Sequence, residues 1–354
     1  MRHSFLITID VEDWFQVENL RPWNPPAAWG SRELRVERNV HRLLDLFDSF
    51  KLPSLPASQP RCFFQPDPVN PVNPVGLSIP APCSVRREPF IRATFFVLGW
   101  LAARLPHLVR EIAARGHEVA SHGSSHRMCR PLSDADLGDE LQGSKRLIED
   151  ITGAEVAGFR APNFSVDDRV LSLAREAGYR YDSSYNSFSL HGRYGKITLN
   201  GPPRAGIAYE INDDFFELPV SNLHLGNLIG ARCTVNGARR TRQLVLPWSG
   251  GAYFRFMPLG VFQRGVRAIL DRDGAYVFYM HPWEIDPEQP RVGQASPVAR
   301  FKHYTNLDKT MSKLRGMMEA FTDCRFAGCG EYIGDGARCT AERNENPAGP
   351  AFTG

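Results

Sequence analysis

Apolar runs of strand length alternate along this chain with stretches of helical period. Phe5-Leu6-Ile7-Thr8-Ile9 is a short continuous apolar run closed by Asp10-Val11-Glu12-Asp13-Trp14, which predicts a first strand ending in acids. Val36, Val40, Leu43, Leu44 and Phe47 then recur at helical spacing, predicting a helix over roughly residues 34–50. Arg92–Leu98 reads as a second buried strand. A helix follows over Leu101–Arg115, with Pro106 near its first turn, where proline is tolerated, and Gly116 as its cap. His117-Glu118-Val119-Ala120 reads as a third strand. The Ser133–Ile151 helix has a serine N-cap, acids in its first turn and Leu137, Leu141 and Ile148 as its buried stripe. Val156–Phe159, a Val166–Ala177 helix and Tyr179–Tyr181 continue the rhythm, and a Val261–Ile269 helix leads to a strand over Ala275–Met280. Repeated β-then-α units predict a parallel α/β architecture, an open sheet or a barrel.

Two segments fall outside this rhythm. Residues 53–89 hold ten of the 27 prolines, a density that no helix or sheet interior accepts, so they read as a disordered insertion. The tail over 330–354, rich in Gly, Asn, Glu and Ala, reads as disordered too. Between 186 and 265 the pattern is weaker, and Glu217-Leu218-Pro219-Val220 and Gly250–Arg255 read as short strands or loops over the functional end.

Charge narrows the partners. A balance of 42 basic against 39 acidic side chains gives +3, with no basic run interleaved with aromatics, so no nucleic-acid partner is expected. Seven scattered cysteines form no C-x-x-C pair and fit reduced thiols. About five apolar residues precede Asp10, fewer than a secretory h-region needs, and no stretch approaches a membrane span. The expected location is cytoplasmic; the oligomeric state is open.

Five inferred strand ends carry chemistry, and in parallel α/β folds active sites gather at that edge. Ser121-His122-Gly123-Ser124-Ser125-His126 sets two imidazoles four residues apart, a spacing that puts both rings on one side of a helical turn and lets them converge on a divalent metal. The acids after the first strand would supply a carboxylate, leaving positions open for water. Strict alternation sets Asp10 and Glu12 on one face, whereas a bulge at the strand end would bring in Asp13. The choice of carboxylate ligand stays open between Glu12 and Asp13, with Asp13 favoured. Arg160-Ala161-Pro162-Asn163, Tyr181-Asp182-Ser183-Ser184-Tyr185 and His281 complete the five. Each alone reads as an ion pair, a cap or a core histidine; together they do not.

In order along the chain these segments resemble the motifs of the polysaccharide deacetylase superfamily with the NodB homology domain. The five are Thr8–Asp13, His122–His126, Arg160–Asn163, Asp182–Tyr185 and His281-Pro282. Asp10–Phe15, Gly251–Arg255 and His281–Pro287 look more specifically like the subgroup found with exosortase-type exopolysaccharide loci. The resemblance implies a distorted, incomplete (β/α) barrel of about seven units in one domain over 1–322, with a C-terminal extension over about 286–322.

It also implies a metal-dependent hydrolase that removes N-acetyl groups from the amino sugars of a polysaccharide. Zn²⁺ would be held by His122, His126 and one acid, polarising the amide and activating water. Asp10 would be the general base, aimed by Arg160, and the backbone N–H of Asn163 would help hold the oxyanion. His281 would protonate the departing amine, with Asp182 orienting it. Tyr185, Trp283 and Trp248 could stack against sugar. The first two motifs depart from the family pattern, since Val11 separates the motif-one acids and Gly123 replaces the usual Ser or Thr after His122. The rivals are an allantoinase-like cyclic-amide hydrolase on the same fold and a non-catalytic glycan-binding relative.

Overall fold

The structure, a computed structural model, describes residues 2–50, 91–188, 194–199, 201–203, 205–212, 214–225, 232–235, 238–241 and 244–336. The proline-rich segment expected over 53–89 lies outside these residues, as does the tail from 337.

Strand β1 (Ser4–Val11) leads, after two 3-10 turns, to helix α1 (Val36–Asp48). Next come β2 (Ala93–Val97), the short α2 (Gly99–Ala102), α3 (Pro106–Ala114) and β3 (Glu118–Ser121). Helix α4 (Asp134–Thr152) starts at Ser133, whose hydroxyl accepts from the Asp136 N–H, and ends at Gly153 with φ 67°. Then follow β4 (Gly158–Phe159), α5 (Asp168–Glu176) and β5 (Tyr181–Asp182). Within the weakly patterned region lie β6 (Tyr209–Asn212), β7 (Phe215–Glu217), β8 (Asn222–Leu225), β9 (Arg232–Val235), β10 (Ala238–Thr241) and β11 (Leu244–Pro247). The chain closes with α6 (Gly251–Phe256), α7 (Leu259–Asp273), β12 (Ala275–Met280), α8 (Pro297–Tyr304), α9 (Leu307–Ala320) and β13 (Arg325–Phe326).

One curled sheet orders its strands β12-β1-β2-β3-β4-β5-β7-β6, every neighbour parallel except β6 on β7, and forms a half-barrel. Beyond β12, loop bonds take over: the Ser221 N–H reaches the Val277 carbonyl and the Tyr279 N–H the Ser249 carbonyl. Gly250 must be glycine there, because a Cβ would sit 2.0 Å from the Tyr279 carbonyl oxygen at φ 133°. This close approach starts α6, so Gly250–Arg255 is largely helical rather than the strand or loop its sequence suggests.

Period-two alternation splits each strand between two cores. Phe5, Ile7, Ile9 and Val11 face the outer helices, packing with Val40, Leu43 and Phe47 of α1 and Leu137, Leu141 and Ile148 of α4. Leu6, Phe96, Ala120, Val277 and Tyr279 face the hollow. Thr8 and Asp10 share the parity of Leu6, so the hollow turns polar toward the strands' C-terminal ends.

The opposite end is plugged by the chain's own C-terminal part. β13 runs parallel to β1 at Ser4 and Phe5, and residues 329–336 are helical. Glu118 receives the Gly330 N–H, the Thr94 hydroxyl and the Tyr181 hydroxyl, while the Thr94 oxygen accepts from the Cys329 N–H. Ile333 packs into the hollow. The domain therefore continues past residue 322, and 330–336 are ordered, contrary to expectation. Composition suggested disorder, but a handful of buried contacts and one carboxylate cap decide the matter.

Candidate active site

At the C-terminal end of β1 the chain turns, the Glu12 N–H bonding back to the Asp10 carbonyl, and Glu12 swings toward the loop after β3. There Glu12, His122 and His126 form a buried group whose ligand atoms all lie within 4.8 Å of one another. Glu12 Oε2 and His126 Nε2 are 2.6 Å apart, yet Oε2 has no hydrogen-bond partner, as expected of two lone pairs aimed at one point. His122 Nδ1 lies 2.8 Å from the Arg160 carbonyl, so Nδ1 carries the proton and Nε2 is left free to ligate. Burial lowers the His122 pKa to about 4, which keeps the ring neutral. Two imidazoles and a carboxylate suit a divalent metal such as zinc.

The histidines do not share a helical turn. Residues 122–126 are a loop, with Gly123 at φ 74° and His126 at φ 57°. Glu140 of α4 shapes it: its Oε2 accepts the Ser124 and Ser125 N–H groups at 2.9 Å each, and its Oε1 takes the Ser125 hydroxyl and Arg127. The favoured carboxylate, Asp13, lies outside the cluster. Its Oδ2 accepts the Arg35 and Val36 N–H groups, at 2.7 and 2.9 Å, and its Oδ1 accepts from Trp14, so it serves the start of α1. Burial lifts the Asp13 pKa to about 6 against those three bonds.

Beside the cluster stand a carboxylate and an imidazole, each with its own partner. Asp10 Oδ1 takes the fully buried Arg160 guanidinium at 2.7 Å. Arg160 also donates to Thr8 Oγ1 and, through Nε and Nη2, to the carbonyl and hydroxyl of Ser183. His281 presents Nε2 at 3.3 Å from Glu12 and 3.9 Å from Asp10. Its Nδ1 lies 2.8 Å from Glu284 Oε1, which also takes the His281 backbone N–H at 3.1 Å. Burial alone would lower the His281 pKa, but Glu12, Glu284 and Asp10 outweigh it and raise it to about 9. Burial likewise opposes ionisation of Glu12, and His126, His281 and His122 overcome it, bringing Glu12 to about 2.

Glu284, not Asp182, therefore orients His281. Glu284 is held in turn by Arg255 Nε at 2.8 Å, and the same guanidinium donates to the carbonyls of Lys302, His303 and Thr305 at the end of α8. Neither Glu284 nor Arg255 was assigned a role from sequence. His281-Pro282-Trp283-Glu284 carried the signal, since proline opening a turn with an acid two residues on is a capping pattern. Asp182 instead meets Glu217, its partner in the β5–β7 register. Burial raises both pKa values, and Glu217 keeps the shared proton. Asp182 then receives the Ser184 hydroxyl, whose oxygen takes the Ala161 N–H, fixing the loop that follows Arg160.

A cavity of about 390 Å³ opens over Asp10, Glu12, His122, His126 and His281. Asn163 lines it from a left-handed backbone at φ 56°, its buried Nδ2 without a partner. Tyr185 is absent from the lining, its place taken by Tyr194, Tyr253 and Tyr279. Trp283 lines the wall, but its indole is already stacked with two imidazoles, His303 at 4.2 Å and His281 at 5.4 Å between ring centroids. Its indole N–H reaches Glu12 at 3.3 Å, so it positions Glu12 rather than stacking on sugar. Trp248 is core, stacked on Phe262 and donating to its carbonyl.

Residues 80–181 match the family described as Polysaccharide deacetylase, and residues 183–333 match the one described as Domain of unknown function (DUF3473). One segment of the chain is thus similar to the polysaccharide deacetylases, and the segment after it is similar to a family of unknown function. The Peptidoglycan-N-acetylglucosamine deacetylase of Bacillus cereus is 34% identical over 88 residues, covering 25% of this chain and 41% of that protein. A Chitooligosaccharide deacetylase of Sinorhizobium fredii is 35% identical over 100 residues, 28% of this chain and 46% of its own. The chain thus spans less than half the length of these curated relatives. A crystal structure from Mycobacterium smegmatis, classed with the polysaccharide deacetylases, superposes with a TM-score of 0.51 at 18% identity, covering 99% of this chain and 93% of its own. Puue allantoinase does so at 0.51 and 13%, covering 98% and 92%. Both likenesses concern the fold alone.

Proposed function

We propose that this chain is a metal-dependent N-deacetylase acting on an acetylated amino-sugar polymer or its precursor. The observation that carries the reading is the Glu12–His122–His126 cluster flanked by two carboxylate- or arginine-tethered groups, Asp10 and His281, at one cavity floor. The donor set fits zinc, which would polarise an amide carbonyl and make water a better nucleophile near neutral pH. Asp10, aimed by Arg160, accepts the proton of the attacking water. Asn163 lines the cavity, and its backbone N–H would be the donor for a developing oxyanion. His281, held protonated by its acidic neighbours, delivers a proton from Nε2 to the departing amine. Glu284 keeps Nδ1 occupied, so Nε2 is the atom that works.

The deacetylase names of the curated relatives support an acetylated glycan as substrate, and the motif resemblance supports an exopolysaccharide. Cys129, Cys324 and Cys329 are free and buried, which supports a reducing, cytoplasmic setting. The test is acetate release from N-acetylhexosamine oligomers, with metal content measured on the same samples and allantoin as the rival substrate. Zinc-dependent acetate release that Asp10→Asn lowers by roughly 10²-fold or more is expected, the usual weight of a general base. Turnover of allantoin without acetate release would overturn the assignment.

A further inference from the structure

The wall of the cavity built by α6 and α8 carries groups that the reaction leaves unused. Phe256 lines the cavity and stacks on Phe301, centroids 5.5 Å apart and rings 15° from parallel. Phe301 is 62% exposed, and Val298, one turn earlier on the same face of α8, is 63% exposed. Lys302 also lines the cavity from an exposed position, and among the described residues no carboxylate pairs with its ammonium. Arg255, the other long cation in the lining, is neutralised by Glu284. His303, only 1% exposed, lines the same wall. The Gln289 amide nitrogen donates to the Trp283 and Asp286 carbonyls, so its Oε1 must accept from His303 Nε2, at 2.7 Å. His303 Nδ1 is then a bare acceptor, buried and without a partner.

We infer that this wall is a subsite for the sugar next to the one deacetylated, and that it selects a neighbour carrying a carboxylate. The inference rests on the deacetylase reading for the ring at the cavity floor. Phe301, exposed and stacked on the cavity-lining Phe256, offers its outer ring face as an apolar shelf for a pyranose beside the cavity. Lys302, at the cavity lining, pairs with the acid. A neutral polymer would leave the lysine idle, and a monosaccharide would leave the shelf bare.

Binding is measured with the zinc-loaded full chain in an Asp10→Asn background, so that no turnover intrudes. The probes are a hyaluronan tetrasaccharide, which alternates N-acetylglucosamine with glucuronate, and neutral chitotetraose. The acidic tetrasaccharide is expected to bind roughly 2–5-fold tighter, a margin that added salt and Lys302→Gln both erase. Phe301→Ala is expected to weaken both probes roughly tenfold, the order expected for losing one buried aromatic face. Phe301 is exposed, so the variant's melting temperature should match that of its parent. Equal affinity for the two probes, or indifference to Phe301→Ala, overturns the subsite. So does a concentration-dependent dimer, seen by sedimentation, that Phe301→Ala dissolves, because the shelf would then seat a second copy. Acetate release by the unsubstituted chain is scored separately: the expected binding pattern without acetate overturns the reaction and keeps the subsite, while acetate without the pattern does the reverse.

Discussion

Neighbouring acids at the end of β1 have been given unrelated tasks by a single backbone turn. Asp10 faces Arg160, Glu12 faces the two histidines, and Asp13 turns back to serve the start of α1. Glu12→Gln should therefore strip the metal, while Asp13→Ala should keep it and lose about 1–2 kcal/mol of stability, the usual weight of a helix-start carboxylate. Zinc content together with urea unfolding separates the two, and metal loss in Asp13→Ala alone would reverse the assignment. His117 makes a second prediction, away from the site. Its Nδ1 accepts the Ala93 N–H, so the ring must stay neutral, and burial, helped by Arg115 and Arg92, lowers its pKa from 6.5 to about 4. A base whose folded pKa lies below its unfolded one adds stability that is present above the unfolded value. That stability is lost as pH falls from about 6.5 to about 4, at most roughly 3 kcal/mol. Urea midpoints at pH 7 and pH 4.5 should converge in His117→Gln more than in the parent; equal acid losses would show that other groups dominate.

Helices and loops place the site more than the strands' own residues do. Glu140 of α4 organises the whole His122–His126 loop, so Glu140→Gln should lower metal affinity by roughly 10–100-fold without touching a ligand. Competition with a zinc chelator reads this directly, and an unchanged affinity would make the carboxylate dispensable. The long helices and β1, β2, β3 and β12 were legible because their periods are strict and their caps are local. Asp10, His122, Arg160 and His281, one at each of four strand ends, were legible because they follow the apolar runs. What stayed hidden depends on partners distant in sequence: Glu140 beside Ser124, Arg255 beside Glu284, Glu217 beside Asp182. No local pattern announces such pairs. The loop geometry that carries His126 at positive φ was equally hidden, since a spacing of four suggests a helix first.

Taken as a whole, the chain assembles its floor from three stretches of sequence. Asp10 and Glu12 precede the polysaccharide deacetylase match, His122, His126 and Arg160 lie inside it, and His281 and Glu284 lie within the DUF3473 match. The segment of unknown function is thus part of the same body, and its end plugs the hollow through Cys329 and Gly330. A chain ended after residue 322 should melt well below one ended after 336, because it loses β13 and the buried Cys324, Phe326 and Cys329. Thermal unfolding of the two truncations tests this, and equal melting points would restore the shorter boundary.

Arg160 has a further consequence at this scale. The strand order runs from β12 to β6, and among the described residues only loop bonds cross between its ends, so no ring of backbone bonds sets the curvature. The guanidinium spans the hollow from the end of β4 to Thr8 and Asp10 on β1 and to Ser183 after β5. It is a strut. The opening of the trough is set by the length of one side chain, which fixes Asp10 beside the Glu12–His122–His126 group. Shortening or bending that strut would change the shape of the trough before it changed its charge.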